Sequence, residues 1–190
     1  MREIEVKILE INKTAVEQKL RKLGAQKVFD GPVDVRMYDT PDGALKQKGA
    51  ILRLRKKGTE GELTVKTDFK RTLRAKTSSE YETAVDFAAA QKILSVLGYV
   101  ESFRMKKHRI EYALGRTHFE IDKIPGIPWF LEIEAESDSE LSAWVKKLGF
   151  SQADTKNWWW HEVLDYYRTK TARAGAPSIP AHRSGKQRRK

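Results

Sequence analysis

The chain has 190 residues, 39% of them hydrophobic and five of them Trp, which is enough to bury one substantial core and points to a single domain. It contains no cysteine, which excludes disulfides and thiolate metal sites and leaves carboxylates and four scattered histidines as metal ligands. The net charge of +11 is uneven: residues 169–190 hold seven Lys or Arg and no acid, so residues 1–168 carry 30 basic against 26 acidic side chains.

The N-terminal stretch REIEVKILE alternates as a strand, with Glu3, Glu5 and Lys7 on one face and Ile4, Val6 and Ile8 on the other. A solvated face is the ordinary account of one such strand. It also lacks the apolar run of a signal peptide, and no apolar run of ~18 residues follows, so neither export nor a membrane span is expected and the address is cytoplasmic. A first helix is predicted over 12–23, with Asn12 or Thr14 as N-cap, Val16, Leu20 and Leu23 on one stripe, and Gly24 as the stop. Three alternating stretches follow: LRLRKK with Arg53 and Arg55, LTVKT with Lys66, and EYETAV with Glu80 and Glu82. A second helix is predicted over 87–97, ending at Gly98. Then come KKHRIEY with Lys107 and Arg109, HFEIDKI with Glu120 and Asp122, and FLEIEAE with Glu132 and Glu134. A third helix follows the caps Ser137 and Ser139, turns Leu141, Trp144, Val145 and Leu148 inward, and stops at Gly149. KNWWWHEVLDYY predicts a short C-terminal helix docked through Trp159, Trp160, Val163 and Leu164. The Leu-Gly helix ends at Leu23, Leu97 and Leu148 keep no fixed period, which excludes a solenoid and leaves a loose duplication of a strand-helix unit open.

Residues 169–190 are rich in Pro, Gly, Ser and positive charge and cannot offset their ordering entropy, so a disordered basic tail is expected beyond a domain of residues 1–168. Two readings of it stand: an arm for nucleic acid or another anionic surface, and, preferred, a solubilising terminus.

The alternating strands share one design: Arg, Lys, Glu and Asp occupy nearly every polar position, where a wet sheet face usually mixes Thr, Ser, Gln and Lys. Closing the sheet accounts for this. A barrel with a charged interior and amphipathic helices outside sets Lys7, Arg53, Arg55, Lys66, Lys107 and Arg109 opposite the acids across one lumen. Because buried charges cost several kcal/mol each (~) unless paired or ligated, such a lumen implies a ligand. Arg and Lys match phosphate oxygens, and carboxylates hold Mg²⁺ or Mn²⁺ between protein and phosphate.

The stretch EIEVK resembles the ExExK signature of the CYTH superfamily, the triphosphate tunnel metalloenzymes, which includes class IV adenylate cyclases, thiamine triphosphatases and inorganic triphosphatases. YDTPDGALKQKGAILRLRKKG, LTVKT, EYE, KHRIEY, FEID and FLEIE resemble the family's later strand motifs in the family's order, over roughly residues 1 to 165. The resemblance implies an α+β fold: a closed tunnel of eight antiparallel strands with helices outside, acting on a triphosphate such as tripolyphosphate, ATP or another organic triphosphate.

Carried over by position, the resemblance gives Glu3, Glu5, Asp122, Glu132 and Glu134 to metal and Lys7, Arg53, Arg55, Lys66 and Arg109 to the phosphates. Glu80, Glu82 and Glu120 are further lumen acids. Lys107, placed near Tyr38 by the family arrangement, resembles a lysine that activates water in hydrolytic members. Two departures stand out. Ser78 occupies a position that is Arg in many members, with Arg74 and Lys76 close by but not required to face the lumen, and NWWW stands where cyclase-like members often show a Ser-Tyr-containing helix. Hydrolysis is placed first, cyclisation of ATP to cyclic AMP and pyrophosphate second, and a non-catalytic polyphosphate- or RNA-binding protein third; the oligomeric state is open, a homodimer included.

Overall fold

The computed structural model describes residues 2–72 and 75–173, with side chains described from Ile4 to Lys170 within those ranges. Nine strands and five helices follow the chain as β1 (Arg2–Ile8), α1 (Lys13–Lys22), β2 (Gln26–Asp39), α2 (Ala44–Gln47), β3 (Ile51–Lys57), β4 (Glu60–Arg71) and β5 (Lys76–Val85), then α3 (Phe87–Val96), β6 (Val100–Leu114), β7 (Thr117–Lys123), β8 (Phe130–Ala135), α4 (Asp138–Lys147), β9 (Thr155–Lys156) and α5 (Trp160–Arg173). The helices start at polar caps: the Asn12, Asp86 and Ser137 side chains accept from the backbone N–H groups of Ala15, Ala89 and Glu140. Gly24, Gly98 and Gly149 follow the C-caps of α1, α3 and α4 with positive φ, the left-handed turn that glycine adopts at no steric cost.

The sheet runs β5-β4-β3-β2-β6-β7-β8-β1, and β1 pairs back on β5 to close an eight-stranded antiparallel barrel. Closure sets Glu5 opposite Lys76 on one side of β1 and opposite Glu134 on the other. The two-residue β9 continues the edge where β5 leaves it, pairing Lys7 with Lys156. Alternation alone does not reveal β2, because Gly31 and Pro32 interrupt its pattern; bulges at Lys27/Phe29 and Met37/Tyr38 carry it past β6.

The outward apolar faces of the strands are covered by helices. Val16 and Leu20 of α1 and Leu141 and Val145 of α4 pack with Leu148 on Ile4, Val6, Phe119, Ile121, Leu131 and Ile133. Ala90 and Leu94 of α3 cover Leu52 and Leu54. Leu20, Leu54 and Leu148 are fully buried, a stabilisation of about 2 to 3 kcal/mol each. α5 lies across one end of the barrel, where Val163, Leu164 and Tyr167 pack on Phe103, Ile124, Ile127 and Phe130. It runs to Arg173, beyond the residue at which the sequence places the start of the tail; the rest of that tail, 174–190, lies outside the described residues. No helix among the described residues is long and apolar enough to cross a membrane.

Candidate active site

Because strand side chains alternate, closing the barrel sends one parity of every strand inward, and these positions line a cavity of about 970 Å³. β1 contributes Glu5 and Lys7, β3 Arg53, Arg55 and Lys57, β4 Glu62 and Lys66, and β5 Lys76, Glu80 and Glu82. β6 adds Lys107, Arg109 and Glu111, β7 His118 and Glu120, and β8 Glu132 and Glu134.

The charges form connected groups. Lys7 Nζ donates to Glu5 at 2.9 Å and to Glu132, and Lys76 pairs with Glu5 and lies 3.9 Å from Glu132. Arg109 forks onto Asp122 at 2.8 and 2.7 Å and also reaches Glu120, while Lys107 donates to Asp122 at 2.7 Å. On the facing wall Arg53 reaches Glu80 at 2.9 Å and Glu82 at 3.3 Å, and Lys66 reaches Glu80 at 2.6 Å. Arg55 pairs with Glu62, and Lys57 with Glu111 at 2.6 Å. Glu5, Lys7, Lys76, Arg109, Glu120, Asp122 and Glu132 are all buried.

Burial acts against every one of these charges, and their neighbours decide the outcome. For Lys107, burial and the Arg109 charge outweigh Asp122, Glu120 and Glu132 and lower its pKa. For Asp122, burial pushes the pKa up, but Arg109 and Lys107 hold it below the usual carboxylate range. Glu132 is likewise lowered, with burial overcome by Lys7, Lys76, Arg109 and Lys107. Both carboxylates stay ionised at neutral pH.

Two trios of carboxylates bring their oxygens within 4.8 Å of one another: Glu5, Glu132 and Glu134, and Glu120, Asp122 and Glu132. An all-oxygen, anionic donor set suits a hard cation such as Mg²⁺ or Mn²⁺, and the shared Glu132 links the two trios. The residues present therefore fit a divalent ion.

Of the residues singled out in the sequence, Glu5, Lys7, Arg53, Arg55, Lys66, Glu80, Glu82, Lys107, Arg109, Glu120, Glu132 and Glu134 line the one cavity, and Asp122 is buried against Lys107 and Arg109. The Glu3 side chain lies outside the described set; its backbone pairs with Ser78 at the closure. Tyr38 is a correction. It pairs with Leu52 and packs with Leu54, Ala90 and Leu94 beneath α3, on the outward face, and its place on β6 is opposite Glu101, whereas Lys107 is opposite Val33. Its neighbour Met37 has the inward parity. Lys57, Glu62, Glu111 and His118 were not singled out, although each extends an alternating stretch by one more inward position; Lys76, expected near Ser78 without a place in the lumen, lines the cavity as well. Lys76 lies one pleat from Ser78, so β5 presents a base to the lumen at 76 and not at 78.

An eight-stranded closed barrel whose lumen interleaves bases with paired carboxylates is an ionic tunnel. The chain belongs to the CYTH domain family, whose model matches residues 1–155. Among solved structures, a candidate adenylate cyclase from Vibrio parahaemolyticus superposes with a TM-score of 0.75 at 23% identity, covering 86% of this chain and 97% of the other. A protein from Pyrococcus horikoshii gives 0.68 at 24% identity, covering 85% and 98%. A candidate adenylyl cyclase from Hippeastrum, described as having a dominant triphosphatase activity, gives 0.63 at 15% identity, covering 97% and 99%. At these identities the likeness carries the fold. No curated protein matches the sequence significantly.

Proposed function

We propose that the protein hydrolyses the terminal phosphate of a triphosphate inside the tunnel, with Mg²⁺ or Mn²⁺ bound by the carboxylates. The observation that carries this reading is the ring of Lys7, Arg53, Arg55, Lys66, Lys107 and Arg109 around a lumen that also contains two carboxylate trios. A protein that only bound polyphosphate gains nothing from carboxylates that repel its ligand. When bound, the divalent ion supplies charge neutralisation on the phosphate oxygens. The arginines grip those oxygens by paired N–H donors and the lysines as point charges, which fixes the chain of phosphates along the tunnel axis. Lys107 is placed beside Asp122, and its lowered pKa suits a group that takes a proton from an attacking water. On this reading the partner is a small triphosphate, tripolyphosphate, ATP or an organic relative, and the setting is the cytoplasm.

The test is a product assay on tripolyphosphate and on ATP, each with Mg²⁺ or Mn²⁺, resolving orthophosphate, pyrophosphate and cyclic AMP. Metal-dependent orthophosphate release that Glu5→Gln abolishes is the expected result. Cyclic AMP with pyrophosphate would replace hydrolysis by cyclisation. Lys107→Met is expected to cut turnover far more than substrate binding, and unchanged turnover removes it from the chemistry.

A further inference from the structure

A base at the start of β5 and the aromatic run before α5 meet at one point of the tunnel. The Lys76 ammonium lies 4.3 Å from the centre of the Trp159 ring. It is buried, lines the cavity, and pairs with Glu5, one of the carboxylates that fit a metal ion. We propose that Lys76 is a phosphate contact of the tunnel and that Trp159 is a positioning residue that holds its ammonium toward the lumen.

A carboxylate partner neutralises a lysine and competes with phosphate for it. The face of an indole attracts the cation through its quadrupole and leaves the positive charge intact. Lys76 therefore meets carboxylates, Glu5 and, at 3.9 Å, Glu132, whose charge a bound metal would share, and it also meets Trp159, which places the ammonium without consuming its charge. The ring is itself fixed. Phe69 meets it edge-on at 5.1 Å and 84°, the backbone N–H of Trp159 donates to Glu162 at 2.8 Å, and Glu162 is paired with Arg71 at the end of β4. Asn157 Nδ2 donates to the Thr72 carbonyl at 2.5 Å, and the first turn of α5 begins on the Trp159 carbonyl, which accepts from Glu162 and Val163. Trp159 is thus locked between the end of β4 and α5, and the lysine it faces projects from the start of β5 across the closure from Glu5.

The inference rests on the tunnel's holding a triphosphate, and the test separates the two. Tripolyphosphate binding to the full chain with Mg²⁺ is measured by calorimetry for the wild type, Lys7→Met, Lys76→Met, Trp159→Leu, Trp159→Phe and the double variant Trp159→Leu/Lys76→Met. Trp159→Leu is expected to weaken binding about tenfold, a typical size for a desolvated cation–π contact, Trp159→Phe to recover most of that, and Trp159→Leu to add nothing once Lys76 is Met. An equal loss in Leu and Phe variants, or a tenfold loss that persists in the Lys76→Met background, overturns it. Wild-type binding that Lys7→Met weakens while Trp159 and Lys76 variants leave it unmoved defeats this inference alone. No binding by the wild type defeats the tunnel reading and this one with it. If Trp159→Leu proves unfolded by its thermal melt, Trp159→Phe compared in the wild-type and Lys76→Met backgrounds carries the same test with a smaller shift.

Discussion

The same strands that form the tunnel carry different materials at its two ends. Toward α5, the inward parity of β6 presents Phe103 and Met105 and that of β8 presents Phe130, and Trp160, Val163, Leu164 and Tyr167 complete an apolar plug. Toward the other end, β6 continues into Glu111, β3 ends in Lys57, β7 offers His118, and Arg116 and Glu136 stand at the rim. One end is held by burial that water cannot replace, the other by ion pairs that remain within reach of solvent. The charged lumen is packed with apolar side chains at one end and lined with partly exposed ion pairs at the other.

The contrast can be broken first at the apolar end. Leu164→Ala removes a nearly fully buried side chain from the plug, and a loss of about 3 kcal/mol is expected, seen as a fall in melting temperature of roughly 6 to 12 °C. A shift below a degree would mean that α5 adds little to the stability of the barrel. At the charged end, the expected effect depends on pH. Burial pushes the Glu111 pKa up, but the hydrogen bond from His118 and the pairing with Lys57 prevail and bring it down to about 2. Because the folded value lies below the unfolded one, the contribution is fully present above the unfolded carboxylate pKa and is lost as pH falls through the folded one. Glu111→Gln is therefore expected to cost up to about 3 kcal/mol near pH 6 and almost nothing near pH 2, measured by denaturation across that range; a cost independent of pH would show that packing, not charge, acts there. His118 adds the opposite limb: the Glu111 hydrogen bond raises its pKa, so its share is present in acid and fades as pH rises through the raised value. The smallest effect belongs to the rim, where Arg116 and Glu136 pair at 2.9 Å with side chains 66% and 49% exposed. Arg116→Ala should change stability by less than about 0.5 kcal/mol, and a larger loss in the same denaturation series would show that the rim pair belongs to the charged network behind it.

That asymmetry was only half legible in the sequence. Period-two alternation in REIEVKI, LRLRKK and FLEIEAE exposed the charged parity, because a one-residue step moves a side chain to the other face and leaves no ambiguity about which residues share it. The barrel's helices were legible for the same kind of reason, an apolar stripe followed by Leu-Gly. β2 was not, since Gly31 and Pro32 break its alternation, so the placement of Tyr38 near Lys107 rested on the family arrangement alone, with no strand pattern to check it against. Lys76 stood out beside Ser78 but could not be given to the lumen, because Thr77, Ser78 and Ser79 separate it from the acids of β5 and hide the shared parity. Which base meets which acid depends on register across strands distant in sequence: Arg109 finds Asp122 within a hairpin, but Lys7 finds Glu132 only where β1 pairs β8, and Lys76 finds Glu5 only where β1 closes on β5. No local pattern encodes those encounters.

Closure has a kinetic side. β1 is flanked by β5 and β8, so residues 2–5 pair with 76–79 and residues 4–8 with 131–135. Contacts of such sequence separation require large loops to be organised before they are rewarded, which places this chain among slowly folding, high-contact-order topologies with times in the millisecond-to-second range. Among the strands of the barrel, β1 precedes both of its neighbours in the chain and waits longest for them during synthesis. Until β8 arrives, the edges of β1 and its row of Ile4, Val6 and Ile8 stand unpaired, and this is the interval in which the nascent protein is most open to aggregation.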